Sequence, residues 1–508
     1  MKTIKYKYLI ALMLIFLGLS CSEDWLDIQQ KGAIPQEDFY TTDAECLSAL
    51  AAVYDMLQVA NAQDWVSLHH MKTVLSDECN GGGENAGDQP EYHQMNEYTF
   101  TPANTKINDI WQRLYYAVYR ANVVIANVEP NNEARTVIVA EAKALRAYIY
   151  FELVNLFGEV PLVLTELKPD EYLVEKTSTA NIWIQIEKDL SEAIEDLPLK
   201  SENGPDNSWR IAKGFAQAMM GKALIFQEKY SEALPYLNEV IASGEYDLVA
   251  DYDRVLRVEN EYGTESLFEL GYVTTEGHNW GNYGYWGQGR RQEQNIHLVL
   301  WGPRGGFFSG DSLGMFPGWG ALPAKELAYE FFNDDDPRRA FNVLSEAEVI
   351  ANYGSLRDGN NELQYQGEGF LRLKYTTFVD ETSGTPGDEP ALNLGTNLRI
   401  MRYAEVLLLA AEAHLGMGNG NLAAAEINKV RARESVQYTP LATATWDDLK
   451  YERATELCFE GHRFYDLVRW GDALTVLGPL GFTAKHAKFP IPQPELDANP
   501  ALEQNSPW

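Results

Sequence analysis

Apolar positions recur at helical spacing along most of the chain and lose that spacing between residues 245 and 400. Near the start, Thr42 or Asp43 is placed to cap a helix running through Leu57. Asn108 is placed to cap another that runs to about Val128. Residues 133–157 form a long amphipathic stretch, stopped by Gly158 and followed by Pro161, the order expected past a helix end. Two later segments match each other: Ala218, Ala223, Tyr230, Ala233, Leu237 and Val240 against Leu408, Ala413, Asn421, Ala424, Ile427 and Val430. Small residues at these spacings describe helix–turn–helix pairs of tetratricopeptide type, which bury a face only by stacking on further pairs. Residues 181–197 with 211–227, and 403–417 with 446–477, are read as additional pairs. The fold class is therefore mainly α, with an irregular, loop-rich insert. That insert is expected to hold short strands at 266–270 and 370–374 and a helix at 322–332.

The N-terminus adds an address. Lys2, Lys5 and Lys7 precede an apolar run at 9–19, too short to span a bilayer and shaped like a signal-peptide core. It ends Leu17-Gly18-Leu19-Ser20-Cys21, small residues before a cysteine that reads as a lipobox, with Cys21 acylated and residues 1–20 removed. Nowhere later do eighteen apolar residues run consecutively. A formal net charge of −33 repels nucleic acid and other polyanions and suits a neutral ligand. Cys46, Cys79 and Cys458 remain, an odd number that argues against a disulfide framework. Cys46 and Cys458 are expected to be buried thiols, and Cys79 has no assigned role.

The densest chemistry lies at 452–470, where Glu452, Arg453, Glu456, Glu460, Gly461, Arg463, Asp466 and Arg469 interleave with aromatics. On one continuous helix Glu456 and Glu460 would stack, with the arginines within a turn. A carboxylate pair invites an acid–base reading, but that role needs a raised pKa. Arginines in reach favour the charged form, so the cluster is read as a structural ion-paired helix. A proline-rich tail follows, with Pro490-Ile491-Pro492, Asn499-Pro500 and Gln504-Asn505, expected to lie extended over the body.

Together the two blocks resemble the C-terminal signature of the SusD/RagB family. Asp24-Trp25-Leu26-Asp27 with Phe39, Phe157-Gly158 with Pro161, and Gly318-Trp319-Gly320 with Pro323 and Asp336-Pro337-Arg338-Arg339 extend the resemblance over nearly all of 21–508. It implies a SusD-like α-superhelix, organised as a helical region at 21–244, an aromatic-rich insert at 245–400 and a C-terminal region at 401–508. It also implies a lipid-anchored, surface-exposed outer-membrane protein that binds an oligosaccharide or polysaccharide. Its expected partner is a SusC-like TonB-dependent transporter, to which the glycan would pass uncleaved. Ser22-Glu23-Asp24 resembles the acidic surface-export signal of such lipoproteins. A lipid-anchored protein-binding scaffold and a surface glycosidase are the other two readings.

The ligand is expected on the insert. Residues 272–319 hold ten aromatics, among them Trp280, Tyr283, Tyr285, Trp286, Trp301 and Trp319, in a stretch without core periodicity. A pyranose lays its C–H face on such rings, while its hydroxyls need donors and acceptors such as His278, Asn279, Asn282, Gln288, Arg290 and Arg291. Burial of these rings in the insert's own core is the competing explanation for each. The resemblance also implicates the loop at 77–98, namely Asp77, Asn80, Asn85, Asp88 and Tyr92. No cofactor or metal site is expected. Adjacent His69 and His70 are read as packing or surface residues, the three aspartates at 334–336 as a solvated helix end, and 358–362 as a polar turn.

Overall fold

The computed structural model describes residues 39–62, 65–274, 293–308, 313–352, 354–381 and 393–508. The chain divides into a leading unit, Met1–Glu45, and a second unit, Cys46–Trp508. At the described end of the leading unit, the Glu45 carboxylate accepts from the Thr42 N–H at 2.8 Å. The Thr42 hydroxyl accepts from the Glu45 N–H at 3.2 Å. This reciprocal cap begins α1 (Asp43–Ala62), in line with the Thr42 expectation, and the helix runs five residues past Leu57.

Helices α2 (Leu68–Val74), α3 (Pro90–Asn96), α4 (Thr105–Asn127), α5 (Glu133–Phe157), α6 (Thr179–Asp196), α7 (Lys213–Ile225) and α8 (Tyr230–Ala242) follow. The cap of α4 is Asn104, whose side chain accepts from Lys106 and Ile107; Asn108 lies inside the helix, one turn later than the cap. From α4 to α8 each helix packs on the next, and α8 then packs on α9 (Tyr403–Gly416), which pairs with α10 (Gly420–Arg431). The protein is mainly α, and α7–α8 and α9–α10 are the two matched helix pairs. Their small residues set the approach. A Cβ on Gly221 would stand 2.5 Å from Leu237, and one on Gly416 would overlap the Tyr230 ring. Gly221 thus admits a side chain from its partner helix, and Gly416 one from the preceding pair, against its backbone.

The insert returns to the helices through a two-stranded antiparallel sheet, β1 (Ser266–Leu270) with β4 (Leu398–Arg402). A second sheet pairs β2 (Val343–Ser345) with β3 (Phe370–Arg372) around a small core of Phe308, Met315, Leu344, Val349, Leu356 and Leu371. Within the expected 322–332 helix only Glu326–Glu330 is helical.

Two expectations at the C-terminus need correction. The 452–470 signature is not one helix: α11 (Trp446–Glu456) and α12 (Arg463–Arg469) are separated by a turn in which Phe459 (φ 62°) and Gly461 (φ 77°) are left-handed. Gly461 permits the chain reversal there, and a Cβ on it would stand 3.4 Å from the Lys72 side chain of α2. The tail is not wholly extended. Residues Gln493–Ala498 form α13, with Pro494 in the first turn, where a missing N–H does no harm. The rest of the tail is pinned by the Asn505 amide, which donates to the carbonyls of Phe157 (2.6 Å) and Phe489 (3.0 Å). Cys46, Cys79 and Cys458 are all buried free thiols. Among the described residues no helix is long and apolar enough to cross a membrane.

Candidate functional site

Two loops run side by side at one edge of the insert. Asn80, Gly82 and Gly83 donate their N–H groups to the carbonyls of Pro323 (2.9 Å), Ala321 (2.8 Å) and Gly320 (2.8 Å), and Lys325 N–H returns to Glu78 (3.0 Å). The pairing requires glycine at 82, where a Cβ would overlap the Gly320 carbonyl. Trp319 is held at the end of this ladder by its own N–H to Val299 (2.8 Å). Trp65, left-handed at φ 61° just beyond α1, meets it with ring centroids 5.3 Å apart at 43°. Both indoles are half-buried.

Polar groups border the pair. Arg304 donates to the Trp319 carbonyl (3.4 Å) and lies 3.6 Å from the exposed Glu84 carboxylate. Its own N–H donates to the Gln364 side chain at 3.1 Å. Asn85 and Asp88 shape the loop from within, accepting from Gly87 N–H (2.8 Å) and Glu84 N–H (2.9 Å). Tyr365 stands edge-on to His93 at 5.4 Å. Two half-buried indoles with an arginine, a carboxylate and amides at the rim complement what a sugar presents: an apolar C–H face edged by hydroxyls.

The predicted ligand residues separate on this geometry. Trp319 lies on the platform. Asp77 does not face a ligand: it is buried and grips Arg463 through two bonds of 2.9 and 2.8 Å. Asn80 is nearly buried and donates to the Gln366 carbonyl (3.1 Å) and Glu368 (2.6 Å). Tyr92 is a core residue, stacked 3.9 Å from His70, with its hydroxyl accepting from Ser67 N–H. Trp301 is 2% exposed and donates to His70 Nδ1 at 3.1 Å. The family resemblance implicates Asp77, Asn80 and Tyr92, and aromatic density implicates Trp301, but tertiary packing closes over all four. His69 and His70 are interior, and burial holds both well below the usual histidine range. Trp280, Tyr283, Tyr285 and Trp286, the polar residues interleaved with them, and Cys21 lie outside the described residues. Trp65 escaped the sequence reading; its only signal was an aromatic directly after a helix pattern ends.

The signature acids sit in a different environment, fully enclosed. Glu456 bonds Arg402 and Arg433 at 2.8 Å each and Arg338 at 3.3 Å. Glu460 bonds Arg402 at 2.7 Å and Lys374 at 2.8 Å. Burial would raise both carboxyls, yet the surrounding cations prevail: Glu456 is held far below the usual range and Glu460 falls to about 2. The partners are not the arginines of the signature itself. Arg453 and Arg469 pair with Asp466 at 2.7 and 2.8 Å, Arg469 also with Glu412, and Arg463 with Asp77. The turn at 457–462 carries Arg463 and Arg469 onto a separate helix from Glu456. Nor is Asp336 solvated, since Arg338 holds it at 2.7 Å.

One buried acid links the signature to the ladder. Glu78 accepts from Phe459 N–H at 2.7 Å and from the Ser76 hydroxyl at 3.1 Å, and burial pushes it up to about 7. The fold therefore binds its proton more tightly than the unfolded chain, with an ordinary value of 4.5. Stability from this group should rise as pH falls from about 7 to about 4.5, by about 3 kcal/mol at most. Glu261, pushed up to about 8 by burial, adds in the same direction. Thermal unfolding at pH 5 and pH 8 is expected to show part of this gain missing in Glu78→Gln. Equal pH dependence in the two proteins would refute the linkage.

Comparison with known proteins places this geometry in context. The sequence model described as "SusD family" matches residues 324–481, and one described as "Starch-binding associating with outer membrane" matches 24–224. The SusD-like protein P25 of Formosa agariphila is 25% identical over 97% of both chains. A solved laminarin-binding SusD-like protein is 31% identical and superposes with a TM-score of 0.82, covering 92% of this chain and 100% of that one. Surface glycan-binding protein A from Bacteroides thetaiotaomicron, solved in complex with laminarihexaose, is 26% identical with a TM-score of 0.78 over 92% and 100%.

Proposed function

This chain belongs to the SusD family, and from that premise we propose that it is a cell-surface glycan-binding lipoprotein that captures an oligosaccharide and delivers it to a SusC-like TonB-dependent transporter. The observation that carries the reading is the Trp65–Trp319 pair with its polar rim. The laminarin-binding relative and the relative solved with laminarihexaose support a glycan as the ligand class. The insert at 245–400 would then be the ligand-bearing region between the two helical regions.

The protein would hold the glycan without cleaving it. An acid catalyst needs a carboxyl raised into the working pH range and open to substrate. Glu456 and Glu460 have lowered values and are buried among cations. A glycan array on the purified protein tests the reading: retention of a defined glycan without new reducing ends supports it. Absence of binding to every glycan, or turnover of the bound one, would sink it.

Outer-membrane attachment would come from acylation of Cys21. The family description supports membrane association. Cys21→Ala is expected to move the protein from the membrane to the soluble fraction or leave the leader uncleaved. A processed Cys21→Ala protein that still pellets with membranes would place the anchor elsewhere.

A further inference from the structure

A second aromatic recess lies between α4, the irregular connection after α5 and the tail helix α13. It is an open groove of about 410 Å³ that includes Trp111, Tyr115, Tyr116, Tyr172, Leu173 and Glu495 in its lining. Trp111 and Tyr115 are one helical turn apart, with centroids 4.9 Å apart. Trp111 is 3% exposed and forms a floor. The Tyr115 hydroxyl donates to the Pro161 carbonyl at 2.8 Å, which satisfies its polar end and fixes the ring. On the facing wall, Tyr172 and Leu173 are 58% and 57% exposed. Adjacent large apolar side chains left open beside a ring-floored groove mark a binding surface more than a folding residue of chance.

The rim is built as well. Gln112 donates to Glu495 at 3.1 Å, joining α4 to α13, and the Asn499 amide donates to the Val174 carbonyl at 2.8 Å, joining α13 to the connection. Glu495 is the one charged residue of the lining, and no basic side chain is present to receive an anion. Burial, then the Glu495 charge, raises the Tyr116 hydroxyl, so it stays a neutral donor. Ring faces, amide edges and a single carboxylate in a strongly acidic chain suit an uncharged polyol better than a sulfated or uronic one.

We propose that this groove is a second saccharide site, separate from the Trp65–Trp319 platform, that takes a segment of neutral glycan. The ligand class rests on the glycan reading above, whereas the location does not. The test is calorimetric titration of the full-length protein in detergent with laminarihexaose and with each other array-positive glycan. Variants are Trp319→Ala on the platform, and Tyr172→Ala and Leu173→Arg at the groove. Both groove positions are more than half exposed, so their melts should match wild type. Two sugar equivalents per chain are expected. Trp319→Ala should leave the groove event, and each groove variant should weaken it at least tenfold. A single equivalent lost in Trp319→Ala and unaffected by both groove variants would overturn the second site and leave the glycan function standing. No sugar binding by any variant or by wild type would overturn both. Binding of choline or acetyl-lysine amide that Tyr172→Ala abolishes, without sugar binding there, would make the groove a cation cage instead.

Discussion

Arg402→Met should unfold most of the protein at temperatures the wild type tolerates, and this is the largest stability effect expected here. Arg402 ends β4 at 2% exposure and donates to Glu460 (2.7 and 2.8 Å), Glu456 (2.8 Å), Glu265 (2.8 Å) and the Glu456 carbonyl (2.7 Å). Around it, Asp336, Glu265, Glu452, Glu456 and Glu460 are balanced by Arg338, Arg402, Arg431, Arg433 and Lys374. Removing one cation leaves an uncompensated buried carboxylate, which costs about 3–5 kcal/mol. Against a typical stability of 5–15 kcal/mol, roughly, that is a large fraction. Methionine keeps most of the stem volume, so the loss would be electrostatic. The sign with pH is fixed. Glu456 and Glu460 have lowered folded values, so wild-type stability from them is present above about 4.5 and lost below it. In the variant the orphaned carboxylate can take a proton, so the gap to wild type should narrow as pH falls toward 5. Denaturant titration at pH 5 and 8 checks this; an equal deficit at both would assign the effect to packing.

Trp319→Ala should weaken glycan binding about thirtyfold, or about 2 kcal/mol, while changing the melt little. The ring is half-buried against Trp65, so truncating it should remove a contact face more than a core residue. Trp65→Ala should act in the same direction. By contrast, Trp301→Ala should lower the melt, because that ring is enclosed by His69, His70 and His297. Affinity and melting temperature together separate the two roles. Full affinity in both Trp319→Ala and Trp65→Ala would shift the binding face to the tryptophans and tyrosines at 280–286.

Much of this was legible before any coordinates. The helix pairs were, because a 3.6-residue apolar period and small residues at Ala218, Ala223, Ala413 and Ala424 report a local geometry that each segment carries by itself. The α5 boundaries were read correctly for the same reason, since Gly158 and its left-handed φ of 78° are a local property. The charged character of the signature was equally plain, and so was its family resemblance. What the sequence could not supply was partnership. Glu456 finds Arg338, Arg402 and Arg433 from three other segments, and Asp77 finds Arg463 nearly four hundred residues away. The expected stacking of Glu456 on Glu460 beside Arg463 and Arg469 failed because the chain reverses at 459–461, while the i,i+3 pair Arg469–Asp466 formed. The candidate binding face was divided the same way. Composition marked the aromatic region, but whether a given ring is platform or core depends on which backbone passes over it. Trp301 is covered by α2, whereas the ladder between 80–83 and 320–325 holds the loop of Trp319 where Trp65 meets it. Local conformation is encoded in neighbours along the chain; burial and ion pairing are set by neighbours in space, and those exist only once the chain has folded.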